Sequence, residues 1–290
     1  MNTKTLDKLI HTWGKTGLGI QATLGFTFLY LPILILIIYS FNASRFNANW
    51  TGFTLKWYQK LFSGLTESTA DISTQNLWGS LQNSLIIAIA STLIASLLGT
   101  MMALALERFR FPGSKFLEAL LLLPIIIPEI TLGVSLLVFF TLVFRILENL
   151  TGIRLTLGLP SVIISHATFS IAFITVTVRA RLADLDPALE EAALDLGANE
   201  WKTFWRITFP LIFPAILSGA LLAFTLSLDD FVVTFFTTGV GATTLPLFVY
   251  GMIKLSITPV INAISTLMLL ASLLFVISSL KLQDKATVKN

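Results

Sequence analysis

The sequence predicts an all-α integral membrane protein, a bundle of about six transmembrane helices with both termini in the cytoplasm. Three observations lead there. Hydrophobic residues fill 55% of the 290 positions and charged residues only 12%, against about 25% charged in a soluble domain. Uncharged stretches recur at lengths that suit the ~20 apolar residues a bilayer crossing needs. Lys and Arg are shared unequally between alternate connections, as the positive-inside rule requires.

The first span covers residues 16–44, with its apolar heart at 18–39, and follows a basic segment carrying Lys4, Lys8 and Lys15. It is too long for a signal-peptide core and no A-x-A site follows, so it reads as retained. The second covers 72–106. Its Ser91, Ala95, Gly99 and Ala103 stand at four-residue spacing, either a seat for a closely approaching helix or ordinary helix composition. The third covers 116–143 and is interrupted by Glu118 and Glu129. The fourth, 155–178, contains His166, either part of a proton relay or hydrogen-bonded within the bundle. The fifth covers 207–228, opened by Pro210 and Pro214, and the sixth 255–280. Residues 231–253 are also uncharged, but 237–244 are Thr- and Gly-rich. That stretch reads as a partly re-entrant loop, because unpaired backbone cannot face lipid. The chain thus divides into a cytoplasmic segment 1–17, a transmembrane domain 18–281 with a cytoplasmic loop at 183–210, and a cytoplasmic tail 282–290. With the N-terminus inside, 13 of the 19 Lys and Arg lie inside and six outside.

Composition excludes several classes of function. There is no cysteine, hence no disulfide, thiol nucleophile or Cys-based metal site. A formal charge of +3 is too small to argue for nucleic acid. Gly14-Lys15 lacks the upstream glycine of a P-loop. Gly17, Gly19 and Ala22 imitate a dinucleotide fingerprint, but no strand precedes them. No metal site, cofactor or nucleophile–base pair is expected, and the chain is not read as an enzyme.

Three acids fall in or beside spans: Glu129, Asp229 and Asp230. Each costs roughly 2.5–3.5 kcal/mol at the bilayer centre if it faces lipid, so a cavity is the expected surrounding. At 1.5 Å per residue, Glu129 lies about 20 Å into the third span and Asp230 about 30 Å along the fifth. Pro124 and Pro128 remove backbone donors before Glu129, and the freed carbonyls can serve a cation. Phe224, Phe231, Phe235 and Phe236 neighbour the aspartates, and aromatic faces attract ammonium groups. Ser227 is placed to accept a hydrogen bond from an amine. The other reading of each acid is a helix-end cap or a partner for Arg145. Trp57, in the first outer loop, either meets a ligand or belongs to an interfacial aromatic belt.

The cytoplasmic loop 183–210 differs from the rest. Asp186 suits an N-cap and Pro187 the first helical position. Leu189, Ala192, Ala193 and Leu196 share one helical face. Gly197 suits the residue just past the helix, and Asn199 can cap a second short helix ending at Phe209. The pattern Glu-Ala-Ala-x3-Gly-x9-Ile-x-Leu-Pro is met here by Glu191, Ala192, Ala193, Gly197, Ile207 and Pro210, with Phe209 in place of Leu. On these residues the chain resembles the permease subunits of ABC importers. The resemblance implies a MetI-like bundle in a bacterial inner membrane. It implies coupling through Glu191, Ala192, Ala193, Gly197, Glu200, Ile207 and Pro210, an amphipathic pair docking in a groove. Its implied partners are two copies of an ATP-binding subunit, a second homologous permease subunit and an extracytoplasmic binding protein, with ATP held by the ATPase.

Further stretches resemble the polyamine branch of that family. They are Asn42-Ala-Ser-Arg45-Phe, Trp50-x-Gly-Phe-Thr-x-Lys-Trp57-Tyr, Pro128-Glu129-Ile130 and Leu226-Ser227-Leu228-Asp229-Asp230. This likeness implies spermidine or putrescine as substrate, with Glu129, Asp229, Asp230, Ser227 and Trp57 contacting it. Glu129 departs from the family's usual aspartate. Two other readings remain at this point: an importer of another small solute such as ferric iron, or a stand-alone secondary transporter.

Overall fold

The computed structural model describes residues 3–44, 49–63, 72–255 and 259–287. Arg45 and residues 288–290 of the tail lie outside them. The helices are α1 (Thr3–Tyr39), α2 (Lys56–Ser63), α3 (Ile72–Arg108), α4 (Ser114–Ile126), α5 (Glu129–Thr151), α6 (Leu159–Ala183), α7 (Ala188–Asp195), α8 (Glu200–Thr203), α9 (Phe209–Asp229), α10 (Val232–Thr237), α11 (Leu245–Leu255) and α12 (Pro259–Thr287). Among the described residues, five runs are long and apolar enough to cross a membrane: Lys15–Tyr39, Asn76–Arg108, Glu129–Thr151, Leu159–Ala183 and Glu200–Asp229. The expected sixth span corresponds to α12, a helix of 29 residues whose described apolar run is Pro259–Leu274.

The chain divides into two compact units. In the first, residues 1–69 and 252–270, α1 leads into a small structured connection. The buried Asn42 organises it: its Nδ2 donates to the Asn49 carbonyl at 2.8 Å, and its Oδ1 accepts from the Thr51 amide at 3.0 Å. Asn42 also forms an antiparallel bridge with Phe53, and Phe41 stacks on Phe53.

In the second unit, residues 70–251 and 271–290, α3, α6 and α9 pack on one another. Lipid tails are as apolar as leucine, so helices associate through close packing rather than hydrophobic drive. Small residues supply it here. Ser91, Ala95, Gly99 and Ala103 are all buried, so the four-residue stripe is a helix seat. A Cβ at Gly99 would sit 3.0 Å from the Ile174 Cβ, and one at Gly219 would sit 3.4 Å from the Ile174 Cα. Ile174 of α6 is thus held between glycines of α3 and α9, in a core with Val178, Leu182 and Ile212.

Three expectations about elements are corrected. The third span is two helices, not one. Ile127 is extended (φ −69°, ψ 134°) and Pro128 precedes α5 with ψ 136°, because a residue before proline is pushed out of the helical region. Glu129 therefore opens a helix instead of lying within one. The fifth span is longer than expected: α8, a turn of π-helix at Phe204–Thr208 and α9 run without interruption. The wider turn accommodates Pro210, whose ring would otherwise meet the carbonyl four residues back. Finally, 231–253 is not wholly loop. Helices α10 and α11 flank a turn at 238–244, and the turn's backbone is satisfied by side chains. Asn83 donates to the Gly241 and Thr243 carbonyls at 2.9 and 3.0 Å, Ser84 accepts from the Leu245 amide, and the Ser161 hydroxyl lies 2.8 Å from the Thr237 carbonyl. Buried non-helical backbone needs such partners.

Candidate functional site

The break between α4 and α5 and the end of α9 open onto one cavity of about 340 Å³. Glu129, Asp229 and Asp230 all line it, with Phe169 and Phe173 of α6 and Phe231 completing the wall. Three of the five residues expected to contact substrate are therefore brought together. Each acid arrives by a local cause. Glu129 sits in the first turn of α5, where the helix dipole favours a negative charge. Asp229 ends α9, and Asp230 leaves the helix with ψ 126°.

The three carboxylates are not equivalent. Asp230 caps α10: its Oδ2 accepts from the Thr234 amide and hydroxyl, both at 2.8 Å, and its Oδ1 accepts from the Val233 amide at 3.3 Å. His166 Nε2 lies 3.2 Å from the same Oδ2, and the Asp230 side chain is only 7% exposed. Glu129 and Asp229 are exposed to the cavity, and no hydrogen bond or ion pair among the described residues engages their carboxylates. No ion pair among the described residues joins any of the three to Arg145. The cap reading thus applies to Asp230, while Glu129 and Asp229 remain available.

Ser227 is not among the residues that line the cavity. It is buried, with its hydroxyl 2.7 Å from His166 Nδ1 and 3.3 Å from the Ser91 hydroxyl. Trp57 belongs to the first unit. Its indole N–H donates to the Asn42 carbonyl at 2.7 Å, and the Lys56 ammonium lies 4.5 Å from the ring centre. His166 proves to be a hydrogen-bonded bundle residue, fully buried. Its partnership with Asp230 was missed, since nothing local links residues 64 apart.

The loop at 183–210 takes the helix–glycine–helix form. Asp186 Oδ1 accepts from the Ala188 amide at 3.0 Å. After α7, Gly197 has φ +83°, its amide donates to Leu194, and the Ala198 amide donates to Ala193. That pair of bonds is a Schellman closure. Asn199 then caps α8, accepting from the Lys202 amide at 2.9 Å. Glu191, Ala192, Glu200 and Pro210 are exposed, Ala193 and Ile207 half-buried. Leu189, Leu194 and Leu196 are exposed too, Leu196 at 89%, so the loop carries uncovered apolar surface. Glu190, absent from the motif, anchors it by accepting from Arg108 of α3 and Thr208 of the π-turn. Burial alone would raise the Glu190 carboxyl, but those hydrogen bonds and the Arg108 charge outweigh it and hold the group below its usual range. A second clasp joins Arg179 of α6 to Glu107 of α3 at 2.9 Å and Glu118 of α4 at 2.5 Å.

Comparison with known proteins agrees with this architecture. The chain is 42% identical to the spermidine/putrescine transport system permease protein PotC of Escherichia coli (strain K12), over 88% of this chain and 89% of the relative. It is 43% identical to the putrescine transport system permease protein PotI of the same organism, over 85% and 83%. In fold it is similar to a bacterial ABC transporter involved in the import of the acidic polysaccharide alginate, with TM-score 0.71, 18% identity and 98% of each chain covered. Residues 95–287 match the family described as binding-protein-dependent transport system inner membrane component. The chain belongs to this family, and is a multi-pass permease component of an inner-membrane ABC importer.

Proposed function

We propose that this chain is the permease subunit of an ATP-driven importer of polyamines, spermidine or putrescine, and forms half of the translocation pathway. The observation that carries the reading is the convergence of Glu129, Asp229 and Asp230 on one aromatic-walled cavity. Several carboxylates beside phenylalanine faces suit a multiply charged ammonium ligand, and about 340 Å³ lies within the ~300–1,000 Å³ of small-molecule sites. Glu129 and Asp229 bind the amines, and Asp230 adds charge from its pinned position. Relatives named for spermidine and putrescine support the same substrate class. Ser227 acts behind the cavity wall. Trp57 contacts the binding protein or the arriving substrate.

Transport proceeds by alternating access. An extracytoplasmic binding protein delivers the amine to this subunit and a second, homologous permease. Two ATPase copies hold and hydrolyse ATP, and drive the helices through Glu191, Ala192, Ala193, Gly197, Glu200, Ile207 and Pro210. The exposed Leu189 and Leu196, which share one helical face, supply the apolar surface such docking needs.

The test is uptake of labelled spermidine and putrescine by cells lacking their own polyamine importer and carrying this chain with its partner genes. Uptake that unlabelled polyamine blocks and ferric iron does not is the expected result. Uptake of neither amine would overturn the polyamine reading and turn attention to ferric iron.

A further inference from the structure

We propose that the groove between α4 and α6 carries a second site for a polyammonium ion, at Glu107 and Glu118, which the Arg179 guanidinium fills while the path is empty and yields as the amine leaves. The inference rests on the polyamine reading above and deepens it.

Residue spacing builds the groove. On α6, Phe169, Phe173, Val176, Ala180 and Ala183 recur at four- and three-residue intervals, which places them on one helical face. On α4, Glu118, Leu121, Leu122 and Ile125 do the same. Two cavities lie along these faces. The first, which holds Glu129 and Asp229, takes Phe169 and Phe173 from α6 and Ile125 from α4. The second, of about 440 Å³, takes Val176, Ala180 and Ala183 from α6 and Glu118, Leu121 and Leu122 from α4. They stand in series, since α6 rises about 21 Å from Phe169 to Ala183. The second cavity reaches Ala183, where α6 gives way to the loop at 183–210. On the transport reading this is the end from which the amine departs, toward the ATPase.

The charged groups lining the second cavity are Glu107 of α3, Glu118 of α4 and Arg179 of α6. Arg179 Nε donates to Glu107 at 2.9 Å and its Nη1 donates to Glu118 at 2.5 Å, so one guanidinium spans the groove. A guanidinium and a primary ammonium offer a carboxylate the same partner, a positive charge with N–H donors. Arg179 is thus a tethered cation lying where the amino groups of the cargo would lie. Two carboxylates against one guanidinium leave a net negative charge, so the cavity keeps its attraction for a cation. The Arg179, Glu107 and Glu118 side chains are 32%, 30% and 44% exposed, and pairs this open to water hold loosely. The guanidinium can therefore swing out as an amine swings in, without leaving either carboxylate unpaired.

The experiment uses the assembled importer in vesicles, with ATP and unlabelled spermidine on the ATPase side and labelled spermidine on the binding-protein side. The quantity read is the ATPase-side spermidine concentration that halves the initial rate of uptake. Action of the amine elsewhere in the importer is common to every variant, so differences between variants report this cavity. Arg179→Gln removes the tethered competitor and is expected to lower that concentration about fivefold, the scale of one partly exposed charge pair. Arg179→Lys keeps the charge and stays near wild type. Glu107→Gln combined with Glu118→Gln removes the carboxylates and raises the concentration by a similar factor. The opposite signs separate this account from a clasp that only holds helices together, for which breaking either side has the same effect. An unchanged concentration in Arg179→Gln, shifts of the same sign from both sides of the clasp, or Arg179→Lys matching Arg179→Gln would overturn the proposal. Should Arg179→Gln not assemble, the double glutamine variant decides alone, and a concentration no higher than in wild type overturns the proposal. Failure of wild type to carry either amine overturns the polyamine reading and this inference together, whereas uptake with unshifted inhibition overturns this inference alone.

Discussion

Gly197 offers the sharpest prediction about coupling. Its φ of +83° closes α7, yet a Cβ built there meets nothing within 4 Å. A substitution therefore acts on backbone conformation alone, with no clash to confuse it. Holding a β-branched residue in the left-handed region costs about 1–2 kcal/mol, which lowers the population of the closed turn roughly 5–30-fold. Asparagine tolerates that region far better. Gly197→Val should therefore lose most substrate-dependent transport per ATP hydrolysed, while Gly197→Asn retains most of it. The assay is uptake and ATP hydrolysis measured side by side in the reconstituted importer. Equal behaviour of the two variants would refute the argument, since they differ chiefly in the cost of positive φ. So would normal coupling in Gly197→Val.

Other expectations follow from the same geometry. Gly99→Leu drives a side chain into Ile174 and the Ile171 carbonyl, 3.0 and 3.1 Å from the first added atom; it should cost about 1–3 kcal/mol and lower the melting temperature in detergent. Glu190 has a depressed folded-state pKa, so its clasp to Arg108 and Thr208 is in force above the ordinary glutamate range, about 4.3, and is lost as pH falls through the lower folded value. Glu190→Gln should thus be less stable than wild type at neutral pH by up to about 1 kcal/mol, discounted for partial exposure, and the difference should shrink as pH falls below the ordinary glutamate range. Denaturation curves for both proteins at a series of pH values from 7 down into acid check the sign.

Much of this architecture was legible because it is written in local chemistry. The capped α7, the glycine closure and the Asn199 cap follow from residues one to five positions apart. So does the small-residue stripe on α3, whose meaning needed only the knowledge that α6 lies against it. The break at Ile127–Pro128 was signalled by proline but overridden by the apolar run on both sides. The turn at 238–244 was readable as non-helical, whereas its stabilisers, Asn83 and Ser161, come from α3 and α6. The division of labour among the acids was the hardest part to foresee. Asp229 and Asp230 are adjacent and chemically identical, and only the packing of α6 and α10 decides that one is pinned and the other available. Ser227 reads as a polar group beside two acids, yet a helix places residues two apart on different faces, and it turns inward to His166.

The central claim is that the two available carboxylates bind the amines. Its most direct measurement is the KM for spermidine in the assembled importer with Glu129→Gln and with Asp229→Asn, alongside membrane abundance and ATPase activity. Losing a charge-assisted contact of about 1.5–3 kcal/mol predicts a KM raised roughly tenfold or more in each variant, at wild-type abundance. An unchanged KM in both would contradict the account.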